Sequence, residues 1–177
     1  MNYSECIENA RTRIGNYCKA CPECNGRACK NQMPGPGAKG IGDTAIRNYD
    51  KWKEIRVQMD TIAENKPVDT SLELFGKKFL YPFFAGPVGA VGLHYGDCLD
   101  DVRYNDILVS ACAKYGIAAF TGDGVDSNVM VAATKAIGKT DGIGIPTVKP
   151  WNIDTVAEKM KMVQESKAFA VAMDVDA

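Results

Sequence analysis

The most regular feature of the chain is a rhythm that begins near residue 82, where short unbroken apolar runs alternate with longer amphipathic stretches. The apolar runs are Phe83-Phe84-Ala85, Ile117-Ala118-Ala119-Phe120-Thr121, Gly142-Ile143-Gly144-Ile145 and Phe169-Ala170-Val171-Ala172-Met173. Each is too short for a helix and reads as a strand buried on both faces. Between them, Tyr104 to Tyr115, Ser127 to Ile137 and Ile153 to Ser166 place apolar residues at helical spacing. Gly116 and Gly138 stand where glycines terminate helices, and Asp126, with Asn152 or Asp154, where side chains cap helix starts. Such alternation predicts βαβ units and a parallel sheet covered by helices.

Strand starts near 83, 117, 143 and 169 are compatible with an open doubly wound sheet or with a (β/α)8 barrel. The small residues that pervade the strands favour the barrel. A complete barrel needs roughly 250 residues. This chain has 177 and stops directly after its fourth strand, with no helix to cover it. The expectation is therefore an α/β fold, the N-terminal half of a TIM (β/α)8 barrel truncated after strand four.

Upstream, residues 43–65 read as one helix, started by Asp43 or Thr44, with Trp52, Ile55, Met59 and Ile62 on one stripe. The run from Leu72 to Phe79 reads as a small hairpin around a Gly76-Lys77 turn. Residues 1–42 show little periodicity, and Met33 to Gly42 hold too much glycine and proline for regular structure. The division expected is a Cys-rich N-terminal segment over 1–42 and a partial barrel over 43–177.

Composition narrows the class. Hydrophobic residues make up 46% and charged residues 24%, with a formal net charge of -1. No basic excess favours nucleic acid. No apolar stretch approaches the roughly 20 residues of a membrane span. The N-terminus lacks the apolar core of a signal peptide, so a cytoplasmic location is expected. Seven cysteines would then be reduced thiols or metal ligands, and five of the seven fall in the first 29 residues.

In parallel α/β folds, ligands sit at the carboxyl ends of the strands. Here those ends read Gly86-Pro87-Val88-Gly89, Gly122-Asp123-Gly124, Pro146-Thr147-Val148-Lys149 and Asp174-Val175-Asp176. Glycine-rich turns let backbone approach a ligand, Lys149 offers a positive charge, and Thr121, Thr147 and Asp174 offer hydrogen bonds. That floor suits a planar ligand with polar edges. Ordinary tight βα turns need glycine as well, so the pattern alone leaves both readings open.

The run from Asp69 to Gly89 (DTSLELFGKKFLYPFFAGPVG) resembles the D-x-S-T-x-x-x-G-x-x-x-x-x-P-x-x-x-A-P signature of FMN-dependent α-hydroxy-acid oxidases and dehydrogenases. Arg47-Asn48 with the helix that follows resembles that family's approach helix, and Ala172 to Asp176 its A-x-x-V-D fourth strand. The resemblance covers about residues 43–177. It implies a TIM barrel, FMN and oxidation of a small 2-hydroxy acid. By the same resemblance, Pro87, Val88 and Gly89 match the first-strand turn that lies against the isoalloxazine ring. Gly122 matches a serine after the second strand, Thr147 and Lys149 a glutamine and a tyrosine after the third, and Asp174 a threonine after the fourth. Only the first turn keeps the family pattern.

The family's substrate-binding tyrosine near the N-terminus has no clear counterpart here. Nor have its strand-five lysine, its H-G-G-R histidine–arginine pair and its phosphate-binding loops. The chain alone is therefore expected to be inactive and to bind FMN weakly. His94, in a loop after the first strand, reads as non-catalytic, with a substrate or lid role as the alternative. Family members are often tetramers, so a homo-oligomer is an expectation. Type 2 isopentenyl-diphosphate isomerases share the barrel and FMN and form a neighbouring reading.

The resemblance does not supply the cysteines. Cys18, Cys21, Cys24 and Cys29 follow C-x2-C-x2-C-x4-C spacing, compatible with Zn²⁺ or an iron–sulfur cluster. Free or redox-active thiols and plain structural cysteines stay open, as does a non-catalytic metal-binding or electron-transfer module. Cys112, on a helix with Leu108 and Tyr115, reads as core packing.

Overall fold

The computed structural model describes residues 2–29 and 42–175; most of the Gly/Pro run from Met33 lies outside them. The chain divides into two compact units, Met1–Pro67 with Val91–Leu99, and Val68–Ala90 with Asp100–Ala177. No helix among the described residues is long and apolar enough to cross a membrane.

The first unit contains a helix where little periodicity was expected. α1 spans Tyr3–Arg11, and its start is a capping box: Asn2 Oδ1 accepts from Glu5 N at 2.9 Å while Glu5 Oε2 accepts from Asn2 N at 3.0 Å. α2 spans Thr44–Trp52 and ends far short of the helix expected to residue 65. The stripe expected there is exposed, with Ile55 at 66%, Met59 at 81% and Ile62 at 98%. Without a packed partner, a segment rich in β-branched residues lacks the tertiary burial that supplies most helix stability. α3 spans Val91–Tyr95 and holds His94, which is buried in a helix and not in an open loop.

The second unit carries the parallel rhythm. It opens with a hairpin, β1 (Leu72–Leu74) and β2 (Lys77–Phe79), paired antiparallel with Leu74 opposite Lys77. The turn is Phe75-Gly76, one residue earlier than expected. Both turn residues take positive φ, 47° and 74°, as a two-residue hairpin requires. Next come α4 (Asp101–Tyr115), β3 (Phe120–Thr121), α5 (Ser127–Lys139), β4 (Ile145–Val148), α6 (Ile153–Glu165) and β5 (Ala172–Met173).

Ala85 bridges Ala119 in parallel, β3 pairs with β4 in parallel, and β4 with β5. Each strand thus lies beside the next one in sequence. A doubly wound sheet would reverse that order at a switch point, so the order is that of a barrel wall. The described residues form an open arc of this wall and no closed barrel. Strand three sits further along the chain than expected, at Ile145–Val148, so Thr147 lies within it and not beyond its end.

Caps account for the helix limits. Asp100, Asp126 and Asn152 accept from Arg103 N, Asn128 N and Thr155 N at 2.7, 2.9 and 2.9 Å. Gly116 ends α4 at φ 81°, in the left-handed region that favours glycine. Gly138 does not end α5, which runs one residue further to a Thr140 cap. Val109, Cys112, Ile117, Ala119, Ala136 and Ile137 form the buried layer between the strands and helices α4 and α5. Cys112 packs there as expected, and burial pushes its thiol pKa up.

Candidate functional site

The site is built where the second unit's strands end. After Ala85, the turn through Pro87, Val88 and Gly89 meets the end of β3 at Gly122. A Cβ placed on Gly122 would stand 2.7 Å from the Val88 carbonyl carbon and 2.9 Å from Gly89 Cα. Those neighbours are backbone and cannot rotate away, so the close approach of the two turns requires glycine. Gly122 therefore carries a packing duty that its sequence alone did not reveal. A serine, which the resemblance would place there, would collide with the first turn. Ala90, next in the chain, is held at φ 52°, an uncommon conformation for a residue with a Cβ.

Side chains alternate along β3 and β4. Ala119 and Thr121 share the face packed on the helices, so Phe120, Ile145 and Thr147 lie on the opposite face. Thr147 is buried, and its Oγ1 has no hydrogen-bond partner among the described residues. Thr121 Oγ1 and both amide atoms of Asn105 share that condition. Lys149, one residue past β4, and Asp174, one residue past β5, are brought together: Lys149 Nζ lies 2.8 Å from Asp174 Oδ2, both side chains about one-third exposed. Asp174 N also donates to Val148 O at 2.9 Å, so the main chain and the ion pair fix the same two strand ends.

Asp123 supplies the part of the site that sequence reasoning missed. Its side chain is fully buried and that of Lys159, on α6, is 7% exposed; Lys159 Nζ is paired with Asp123 Oδ1. Oδ1 also accepts from Gly124 N at 2.9 Å. Oδ2 accepts from Lys149 N at 2.9 Å and from Trp151 Nε1 at 2.7 Å. The Lys159 ammonium lies 5.1 Å from the centre of the Trp151 ring. Burial alone would raise the Asp123 pKa. Hydrogen bonds from Lys149 N, Lys159 and Trp151, with the Lys159 charge, outweigh it and hold the carboxyl below its ordinary value. The signal available in the sequence was Lys159 four residues before the buried Val163. A lysine on a core-facing helical stripe calls for a buried acid.

The first unit holds the cysteine cluster Cys18, Cys21, Cys24 and Cys29. Tyr3 Oη donates to Pro22 O at 2.6 Å and Tyr49 Oη to Glu23 Oε2 at 2.7 Å, which tie the Cys-rich loop to α1 and α2. Burial, then the charges of Cys29, Cys18 and Cys21, raise the Cys24 pKa. Among the described residues no group of three or more His, Cys, Asp or Glu is arranged to hold a metal ion. The zinc or iron–sulfur expectation for Cys18, Cys21, Cys24 and Cys29 therefore gains no support.

The second unit is thus a barrel wall in sequential order, with a glycine-only contact and charged residues at its strand ends. The family model for FMN-dependent dehydrogenase matches residues 35–177. The chain belongs to that family, whose members are FMN-dependent oxidoreductases built on a TIM barrel. No curated protein matches the chain significantly.

Proposed function

We propose that the strand ends of the second unit form the floor for the isoalloxazine ring of FMN in an oxidoreductase that acts on a small 2-hydroxy acid. The observation that carries this reading is the seating of the Val88-Gly89 turn against Gly122, where the atoms nearest the glycine's open side are all main chain. A flat ring needs such a surface. The residues fit the group in two further respects. Thr147 Oγ1 is a buried hydroxyl without a partner among the described residues, suited to a hydrogen bond with a polar ring edge. Lys149 and Asp174 stand as a charged pair at the ends of β4 and β5.

When bound, FMN supplies the two-electron acceptor. In this reading the chain's own residues bind and orient. Pro87, Val88 and Gly89 present the flat face, and Gly122 keeps the second strand end low. Thr147 and Lys149 address the polar edge, with the Lys149 ammonium suited to the negative charge of a reduced ring or a carboxylate. Asp174 holds that ammonium in place. The departures from the family pattern at Lys149 and Asp174 support one another: a tyrosine and a threonine are replaced by groups that pair at 2.8 Å.

The test is a visible-absorbance titration of FMN with the chain. Saturable perturbation of the flavin bands is expected, with a Kd in the range of about 1 µM to 1 mM. Unchanged bands over that range, with the folded state verified by circular dichroism, would refute the proposal.

A further inference from the structure

The Asp123 cluster has more order than a packing role demands. A carboxylate has about four acceptor positions, and Asp123 uses four donors: Gly124 N, Lys149 N, Trp151 Nε1 and Lys159 Nζ. Two of them are main-chain groups just past the ends of β3 and β4. A buried ion pair is weak evidence for stability, because an apolar pair of similar volume often serves as well. An apolar pair could not bond the main chain of two loops. The carboxylate thus links three pieces of the second unit: the β3 end, the β4 end and α6.

Lys149 is the pivot. Its N–H is held by Asp123 at 2.9 Å, while its ammonium reaches Asp174 at 2.8 Å. Asp174 is anchored in turn by its own N–H on Val148 O. The direction of the Lys149 side chain therefore depends on where Asp123 pins its main chain.

We propose that Asp123 is a positioning residue: its buried carboxylate fixes the main chain at Lys149 and so sets the Lys149 ammonium and its partner Asp174 at the flavin-facing strand ends. This rests on the reading of those strand ends as the FMN floor. The Asp123 side chain is itself fully buried, so its role runs through the Lys149 main chain. Its low carboxyl pKa keeps it ionised, and so able to accept all four bonds.

The experiment compares the chain with its Asp123→Asn, Lys149→Met and double variants. It measures FMN affinity by absorbance titration, and amide exchange at Lys149 by NMR in the FMN-free state. Asp123→Asn is expected to weaken FMN binding about tenfold, the loss of one charge-assisted hydrogen bond. It should speed exchange at Lys149 N while Val109 in the core stays protected. The double variant should bind FMN no worse than Lys149→Met alone, because both changes act through the same side chain. Full additivity would overturn the proposal. So would an Asp123→Asn chain with a freed Lys149 amide and FMN affinity within about twofold of the parent.

Should Asp123→Asn fail to fold, Trp151→Phe removes one donor to the same oxygen and keeps the ion pair. It should weaken FMN binding about threefold, and no change would count against the proposal. If the parent chain binds no FMN, the flavin reading fails by itself. The positioning role is then decided by the Lys149 amide and the Lys149–Asp174 pairing in Trp151→Phe, whose loss supports it and whose retention refutes it.

Discussion

Gly122→Ala is the substitution for which the geometry makes the firmest demand. The new methyl would stand 2.7 Å from the Val88 carbonyl carbon and 2.9 Å from Gly89 Cα. Carbon atoms in contact prefer about 3.5–4.0 Å, so one turn must move by most of an ångström. Overpacking of this kind costs about 1–3 kcal/mol. Removing a glycine from the unfolded chain returns about 0.4–1 kcal/mol. Taking the middle of each range, the net loss is about 1.3 kcal/mol. With a urea slope of about 2 kcal/mol/M, the midpoint falls by about 0.5–1 M at unchanged slope. Gly124→Ala is the control, because nothing lies within 4 Å of its added methyl. Its midpoint should equal the parent's or rise slightly. Urea unfolding followed by near-UV circular dichroism reads both. Equal midpoints for Gly122→Ala and Gly124→Ala would refute the argument that the first two strand ends are seated on this glycine.

Other outcomes follow from the buried polar groups. Thr147→Val replaces a partnerless buried hydroxyl by a methyl of the same shape, so the FMN-free chain should gain about 1 kcal/mol; a comparable loss, read by the same unfolding assay, would mean that the hydroxyl has a partner. Asp123 holds its proton less readily folded than unfolded, where its value is 3.8. Below about pH 4 the unfolded state therefore binds more protons, and the stability Asp123 contributes above that pH is lost as pH falls through the folded value. Asp123→Asn should flatten that part of the acid slope. At pH 7 it should cost about 3–5 kcal/mol, because Lys159 is left buried and unpaired. A pH-stability series from 2 to 7 on both proteins measures both effects.

The parallel wall was legible in the sequence because its signals are local. Apolar runs, the caps at Asp126 and Asn152, and Gly116 at the end of α4 each state their role within a few residues. The helix expected to residue 65 failed because periodicity records only which residues could share a face. Ile55, Met59 and Ile62 are exposed and have no burial to hold them helical. α1 was missed although its capping box, Asn2 with Glu5, was present in the first five residues. Lys149 and Asp174 were both identified as strand-end groups, but 25 residues separate them and their pairing is a product of β4 and β5 lying side by side. Asp123 was legible only as part of a Gly-Asp-Gly turn. Apart from the adjacent Gly124 N, its partners lie 26, 28 and 36 residues away, and no short-range pattern joins them.

The central claim, that these strand ends form the floor for FMN, is tested most directly by mapping FMN-induced amide shifts on the isotopically labelled chain. Shifts concentrated at Val88, Gly89, Gly122, Thr147, Lys149 and Asp174 are predicted. Shifts absent from those residues at saturating FMN, or centred on the Cys18–Cys29 loop, would contradict the account.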